Sequence, residues 1–146
     1  MNGAKTRIGW LASAGVVLLL ASCAAGSGPS AAVRDIEVTI DGYHFVPDHF
    51  TVSRGESVRF VVTNPDDIAH ELYIGTVAEQ AARRETGVAA PSDLGSVTHF
   101  GYGIYVPAFA EGEFDYVFSG DDDLLIGCHL PGHWEAGMVA TIDVQP

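Results

Sequence analysis

The run Cys128-His-Leu-Pro-Gly-His133-Trp-Glu-Ala-Gly-Met138 places a thiol, an imidazole and a thioether within eleven residues of one another. One thiolate, two imidazoles and a long, weak thioether bond make a soft, mixed donor field that suits copper in both of its common oxidation states. This loop offers one of the two imidazoles at the required spacing. His70 can supply the other, because Asn64-Pro-Asp-Asp-Ile-Ala-His70-Glu-Leu reads as a turn leading into an apolar strand. The competing reading is a buried thiol beside ordinary loop histidines. Against it stand the Cys-x4-His-x4-Met spacing, the Pro131-Gly132 turn between two donors and the upstream His at a strand start.

Donors so far apart in sequence must be brought together by a sheet. Apolar and polar residues alternate at period two in Ile36-Glu-Val-Thr-Ile40, Phe50-Thr-Val52 and Glu56 to Thr63, the pattern of half-buried strands. Turn residues separate them at Asp41-Gly42, Arg54-Gly55 and Asn64-Pro65, and further strands are expected at Glu113 to Phe118, Leu124 to Cys128 and Met138 to Val144. Short strands with frequent turns predict an all-β, antiparallel Greek-key sandwich. One short helix interrupts it. Thr76-Val-Ala-Glu79 has capping-box spacing, Ala78 to Glu85 are mostly good helix formers, and Gly87 marks the stop. The segment 88–103 is Gly-rich, with no regular pattern and no metal-ligand spacing.

With these residues in view, the chain resembles a cupredoxin over about Ile36 to Val144, its ligand-loop spacing being similar to that of rusticyanin and auracyanin rather than the shorter-loop plastocyanins. The resemblance implies that His70, Cys128, His133 and Met138 hold one copper ion cycling between Cu(II) and Cu(I) at one pole of the sandwich. It also implies that His133 presents the exposed ligand edge. Leu130, Pro131, Trp134 and Ala136 are expected to keep water from the site. Cupredoxins often carry small polar residues after the first His and the Cys, linked to each other across the two loops. Here these positions are Glu71 and His129, and a carboxylate–imidazole contact is the expected substitute.

Lys5 and Arg7, the apolar run Ile8 to Leu20 and Leu20-Ala-Ser-Cys23 resemble a bacterial lipoprotein signal. The resemblance implies a signal peptide over 1–22, cleavage before Cys23 and lipidation of Cys23, with several acyl chains giving stable anchoring. A plain secretory peptide or a short membrane anchor is the alternative, although the apolar run is short for spanning a bilayer. Residues 23–34 then form a flexible tether, and 35–146 a single cupredoxin domain. With Cys23 given to lipid and Cys128 to metal, no disulfide is expected. Beyond residue 22 the chain has five arginines and no lysine against nineteen acids, a formal charge of −14. Nucleic acid is an improbable partner for such a surface.

His44, His49 and His99 read as surface or satisfied histidines, Asp121-Asp-Asp123 as a solvated acidic turn lacking the ligand alternation of an EF-hand, and Arg83-Arg84 as a solvated basic island. The first expectation for function is a monomeric, membrane-anchored electron carrier outside the cytoplasm that docks transiently on redox partner proteins. The alternative is a copper-homeostasis protein that sequesters or delivers the metal. Copper-delivering surfaces tend to cluster Met or His, and Met138 is the single Met beyond the leader, which favours the carrier. No His-x-His pair is present to build the additional copper centres of an oxidase, so no enzyme is expected.

Overall fold

The computed structural model describes residues 32–87, 95–120 and 122–146. The expected leader, the lipidation residue Cys23 and most of the tether lie outside these residues. Two sheets face one another. The smaller is ordered β2-β1-β4-β8, from β1 (Arg34–Asp41), β2 (His44–Val46), β4 (Ser57–Thr63) and β8 (Glu111–Val117). The larger is ordered β3-β10-β9-β5-β7-β6, from β3 (His49–Ser53), β5 (His70–Gly75), β6 (Thr98–Phe100), β7 (Gly103–Val106), β9 (Leu124–Gly127) and β10 (Val139–Gln145).

The period-two pattern determines which side chains enter the core. Ile36, Val38 and Ile40 of β1 alternate with exposed residues, and Val58, Phe60 and Val62 of β4 point the same way. Phe60 stacks on Phe114 with centroids 5.3 Å apart and meets Phe50 and Phe118 edge-on, tying the sheets through one aromatic cluster. The sandwich is not wholly antiparallel. β1 pairs parallel with β4, and β3 pairs parallel with β10. Both pairings join strands that a crossover between the two sheets separates, which turn signals alone do not reveal.

Helix α1 (Val77–Thr86) packs on β5 and β9. Its capping box forms: the Thr76 hydroxyl accepts from the Glu79 N–H, and Glu79 accepts from the Thr76 N–H at 2.7 Å. Gly87, at φ 71°, ends it. Covering β5 from outside makes that strand buried on both faces, unlike the half-exposed strands of the smaller sheet. Within 88–103, residues 88–94 lie outside the described residues, and the remainder holds β6 and the first residue of β7.

Gly127 lets this packing close. A Cβ there would lie 2.5 Å from Trp134 Cζ3 and 2.8 Å from Gln80 Oε1. Gly127→Ala is therefore expected to destabilise the metal-free domain by about 1–3 kcal/mol, read as a lower denaturant midpoint. An unchanged midpoint would show that Trp134 and Gln80 move aside freely.

Candidate metal centre

β5 and β9 are antiparallel neighbours with Tyr73 opposite Gly127. Alternation along each strand sorts their residues onto two faces. His70, Leu72 and Ile74 face the core, as do Ile126 and Cys128, whereas Glu71 and His129 lie on the face beneath α1. The inner face carries donors, and the outer face carries their supports.

The loop after β9 folds through tight turns. Leu130-Pro131-Gly132-His133 is a turn closed by the His133 N–H on the Leu130 carbonyl at 3.0 Å, with Gly132 at φ 85°, a left-handed conformation that glycine adopts without strain. Cys128 N–H donates to the Met138 carbonyl at 3.2 Å, and Met138 N–H to that of His133 at 3.1 Å. These bonds bring the three loop donors back beside His70.

One donor atom each from His70, Cys128 and His133 lie within 4.8 Å of one another, all buried. Cys128 Sγ is 3.3 Å from His133 Nδ1, and Met138 Sδ is 3.2 Å from His70 Nδ1. His70 Nε2 lies 3.2 Å from Asp66 Oδ2, so a hydrogen on Nε2 leaves the Nδ1 lone pair facing the thioether. Burial pushes the Cys128 thiol up to about 12, opposed in part by the Glu71 N–H donated to its sulfur at 3.3 Å. Burial also holds both imidazoles below their ordinary range; for His70 the nearby His133 adds to this and Asp66 opposes it.

The donor set fits copper. Two neutral imidazoles, a thiol and a thioether meet in an apolar core, a mixture that suits copper and that zinc, favouring tetrahedral N and S sites without thioether, does not need. Bound copper would supply a centre able to gain and lose one electron; the chain's own residues fix the donors and keep water away. His133 is only 9 % exposed. What exposure it keeps lies beside the Tyr43 ring, which packs edge-on against it with centroids 5.0 Å apart.

The residues expected to support the donors divide. Trp134 stacks on His129 at 4.8 Å, and Leu130 packs on the core, but Pro131 and Ala136 are exposed on the outer side of the turns. Glu71 does reach His129, though not its ring. Its Oε1 accepts the His129 backbone N–H at 3.1 Å, while the imidazole Nε2 lies 2.6 Å from Gln80 Oε1. Gln80 Nε2 donates to the Tyr73 and Leu125 carbonyls, so its oxygen is the acceptor and His129 Nε2 carries the hydrogen. Arg83 is not the solvated residue expected. Its guanidinium grips Glu71 at 2.9 and 2.8 Å, whereas Arg84 lies over Trp134 at 5.3 Å.

His49 and His99 are exposed and bonded to Thr141 Oγ1 and the Glu113 carbonyl, away from the donors. His44 is exposed on β2. Of the acidic turn, Asp121 lies outside the described residues, and Asp122 and Asp123 are exposed. Sequence reasoning missed Tyr43, Asp66, Gln80 and Arg83. Asp66 carried a signal in its position four residues before His70; the others are reached only through the fold.

The Cupredoxin-like domain family matches residues 11–90, more than half of the chain. The protein belongs to the cupredoxin family. The family match ends before Cys128, so the ligand loop stands on its own geometry. Among solved structures, the chain is similar to the reduced auracyanin of Roseiflexus castenholzii (TM-score 0.63, 19 % identity, 79 % of this chain and 99 % of that one) and to auracyanin B (TM-score 0.64, 20 % identity, 77 % and 89 %). Among sequences, it is similar to the copper-resistant cuproprotein CopI of Rubrivivax gelatinosus, 37 % identical over 78 % of this chain and 68 % of the relative. It is also similar to that of Pseudomonas aeruginosa, 29 % identical over 79 % and 78 %. This cupredoxin is a copper-binding protein.

Since burial holds both imidazoles below their ordinary range and the Cys128 thiol far above it, copper held by these donors would displace a proton from sulfur alone. Calorimetry of the metal-free protein in buffers of different ionisation heat should show about one proton released per copper at pH 7, with affinity rising about tenfold per pH unit over pH 7–9. Release of two or more protons, or pH-independent affinity, would contradict this protonation pattern.

Proposed function

We propose that this protein handles copper outside the cytoplasm as part of copper resistance, holding one ion on His70, Cys128, His133 and Met138. The observation that carries this reading is the similarity to copper-resistant cuproproteins over more than three quarters of the chain. The enclosure of the donors supports it. His70, Cys128 and Met138 are fully buried, and His133 nearly so beneath Tyr43, a setting for retaining an ion rather than presenting it. The reading assigns no chemical reaction to the protein. Anchoring through a lipidated Cys23 is part of it, and Cys23→Ser should move the protein from the membrane to the soluble fraction.

The electron carrier expected from the sequence remains the second reading. What favours it is that the donors stand close together in the metal-free chain, held by turns and strand ends, so a change of oxidation state would need little rearrangement. In that reading the partners are redox proteins that dock transiently.

Growth in rising copper separates the two. Cells lacking the gene should lose copper tolerance, recover it with the wild-type gene and fail to recover with Cys128→Ser, while respiration in low copper stays unchanged. Unchanged tolerance with slowed electron flow would replace copper handling by electron transfer.

A further inference from the structure

We infer that Arg83 is a positioning residue of the copper centre, acting from the outer face of the large sheet, through Glu71, on the strand end that carries Cys128. Its consequence for copper rests on the ligand set proposed above; its consequence for the metal-free chain does not.

Glu71 is bonded on both sides of Cys128. Its backbone N–H donates to Cys128 Sγ, and its carboxylate accepts the N–H of the next peptide, at His129. Glu71, from a strand far away in sequence, therefore bonds both the Cys128 sulfur, which the Leu130 backbone N–H also meets, and the peptide that follows it. That carboxylate is wholly buried, and a buried carboxylate needs a paired cation to remain in place. Arg83 provides it through Nε and Nη2, a forked pair of bonds, each to a different carboxylate oxygen.

The guanidinium is itself held. Its Cζ sits 4.5 Å from the ring centroids of both Tyr73 and Phe100, which flank it with faces suited to a planar cation. The helix that carries it is set at its start by the Thr76–Glu79 capping box. It is pinned one turn before Arg83 by Gln80, which binds the Tyr73 and Leu125 carbonyls and the His129 ring. Without the guanidinium, the carboxylate has no counter-charge beneath α1 and is drawn towards water. The His129 N–H then loses its acceptor, and the Cys128 sulfur loses one of the two backbone donors that direct it.

Amide hydrogen exchange followed by NMR in the metal-free protein tests this directly. It is paired with the rate at which the loaded protein gives up Cu(I) to an excess of bathocuproine disulfonate. For Arg83→Met, the His129 amide should exchange at least about tenfold faster while the Val62 amide in the opposite sheet is unchanged, and copper transfer should accelerate by a similar factor. Arg83→Lys, which keeps the charge but loses the fork, should lie between Met and wild type. Adding Glu71→Gln to Arg83→Met should restore slow exchange, since a neutral amide still offers an oxygen to His129 without a charge to compensate. Wild-type rates in both single variants would overturn the inference. So would acceleration spread equally over His129 and Val62, which marks a loss of global stability without a specific role at Cys128. If Arg83→Met does not fold, Arg83→Lys decides between the same outcomes. Failure of the wild-type protein to take up copper would defeat the proposed ligand set, while the exchange data would still decide the role of Arg83.

Discussion

Tyr73 sits opposite Gly127 in the β5–β9 ladder, and the placement of the donors follows from that pairing. Successive side chains of a strand point to opposite faces, so a slip of one residue exchanges the faces completely. In the observed register His70 and Cys128 look into the sandwich, and Glu71 and His129 look out under α1. After a slip in β5, His70 would meet the helix, and the Glu71 carboxylate would enter the apolar core without a cation. Two features oppose that slip: Leu72 and Ile74 are buried in the core, and Arg83 holds Glu71 outside it. The hydrophobic pattern and the ion pair specify the same register.

The two faces also divide the chemistry. On the inner face, burial keeps imidazoles neutral and sulfur protonated, so the metal-free site carries no net charge into the core, and copper held by these donors would have to displace the thiol proton. On the outer face, the buried Glu71 carboxylate is matched by a forked arginine, and Nε2 of the buried His129 ring by a fixed amide. The ring is matched on one side only: Nε2 meets Gln80, while the buried Nδ1 has no hydrogen-bond partner, so the support rests chiefly on the Arg83–Glu71 fork and the Gln80 amide. Tyr43 then lies over His133 and reduces access from solvent.

Much of this was legible in the sequence, for reasons that are local. Alternation marked β1, β3 and β4, the Thr76–Glu79 spacing marked α1, and the Cys-x4-His-x4-Met loop marked the donors because each signal is carried by neighbouring residues. The strands of β2, β6 and β7 were not visible, since three or four residues give too little alternation to separate strand from loop. The parallel pairings of β1 with β4 and β3 with β10 were hidden because register between distant segments is a property of the whole sandwich. Arg83 was misread for a related reason: a charge on a helix is usually solvated, and only the fold shows Glu71 beneath it. A contact between Glu71 and His129 was foreseeable from their positions beside two donors, but not that the backbone rather than the ring would receive it. For function, a low Met count pointed to electron transfer, and it was the relatives' similarity that turned the balance towards copper handling.

The central claim is that two imidazoles and one thiolate, from a strand start and a distant loop, hold a single copper ion together with a weaker thioether. X-ray absorption at the copper edge, recorded on the protein loaded with one equivalent of copper, tests it most directly. The account predicts a first shell of two imidazole nitrogens and one short thiolate sulfur, with the sulfur lost in Cys128→Ser. A shell of oxygen and nitrogen alone in the wild-type protein, or a sulfur signal that survives Cys128→Ser unchanged, would contradict it.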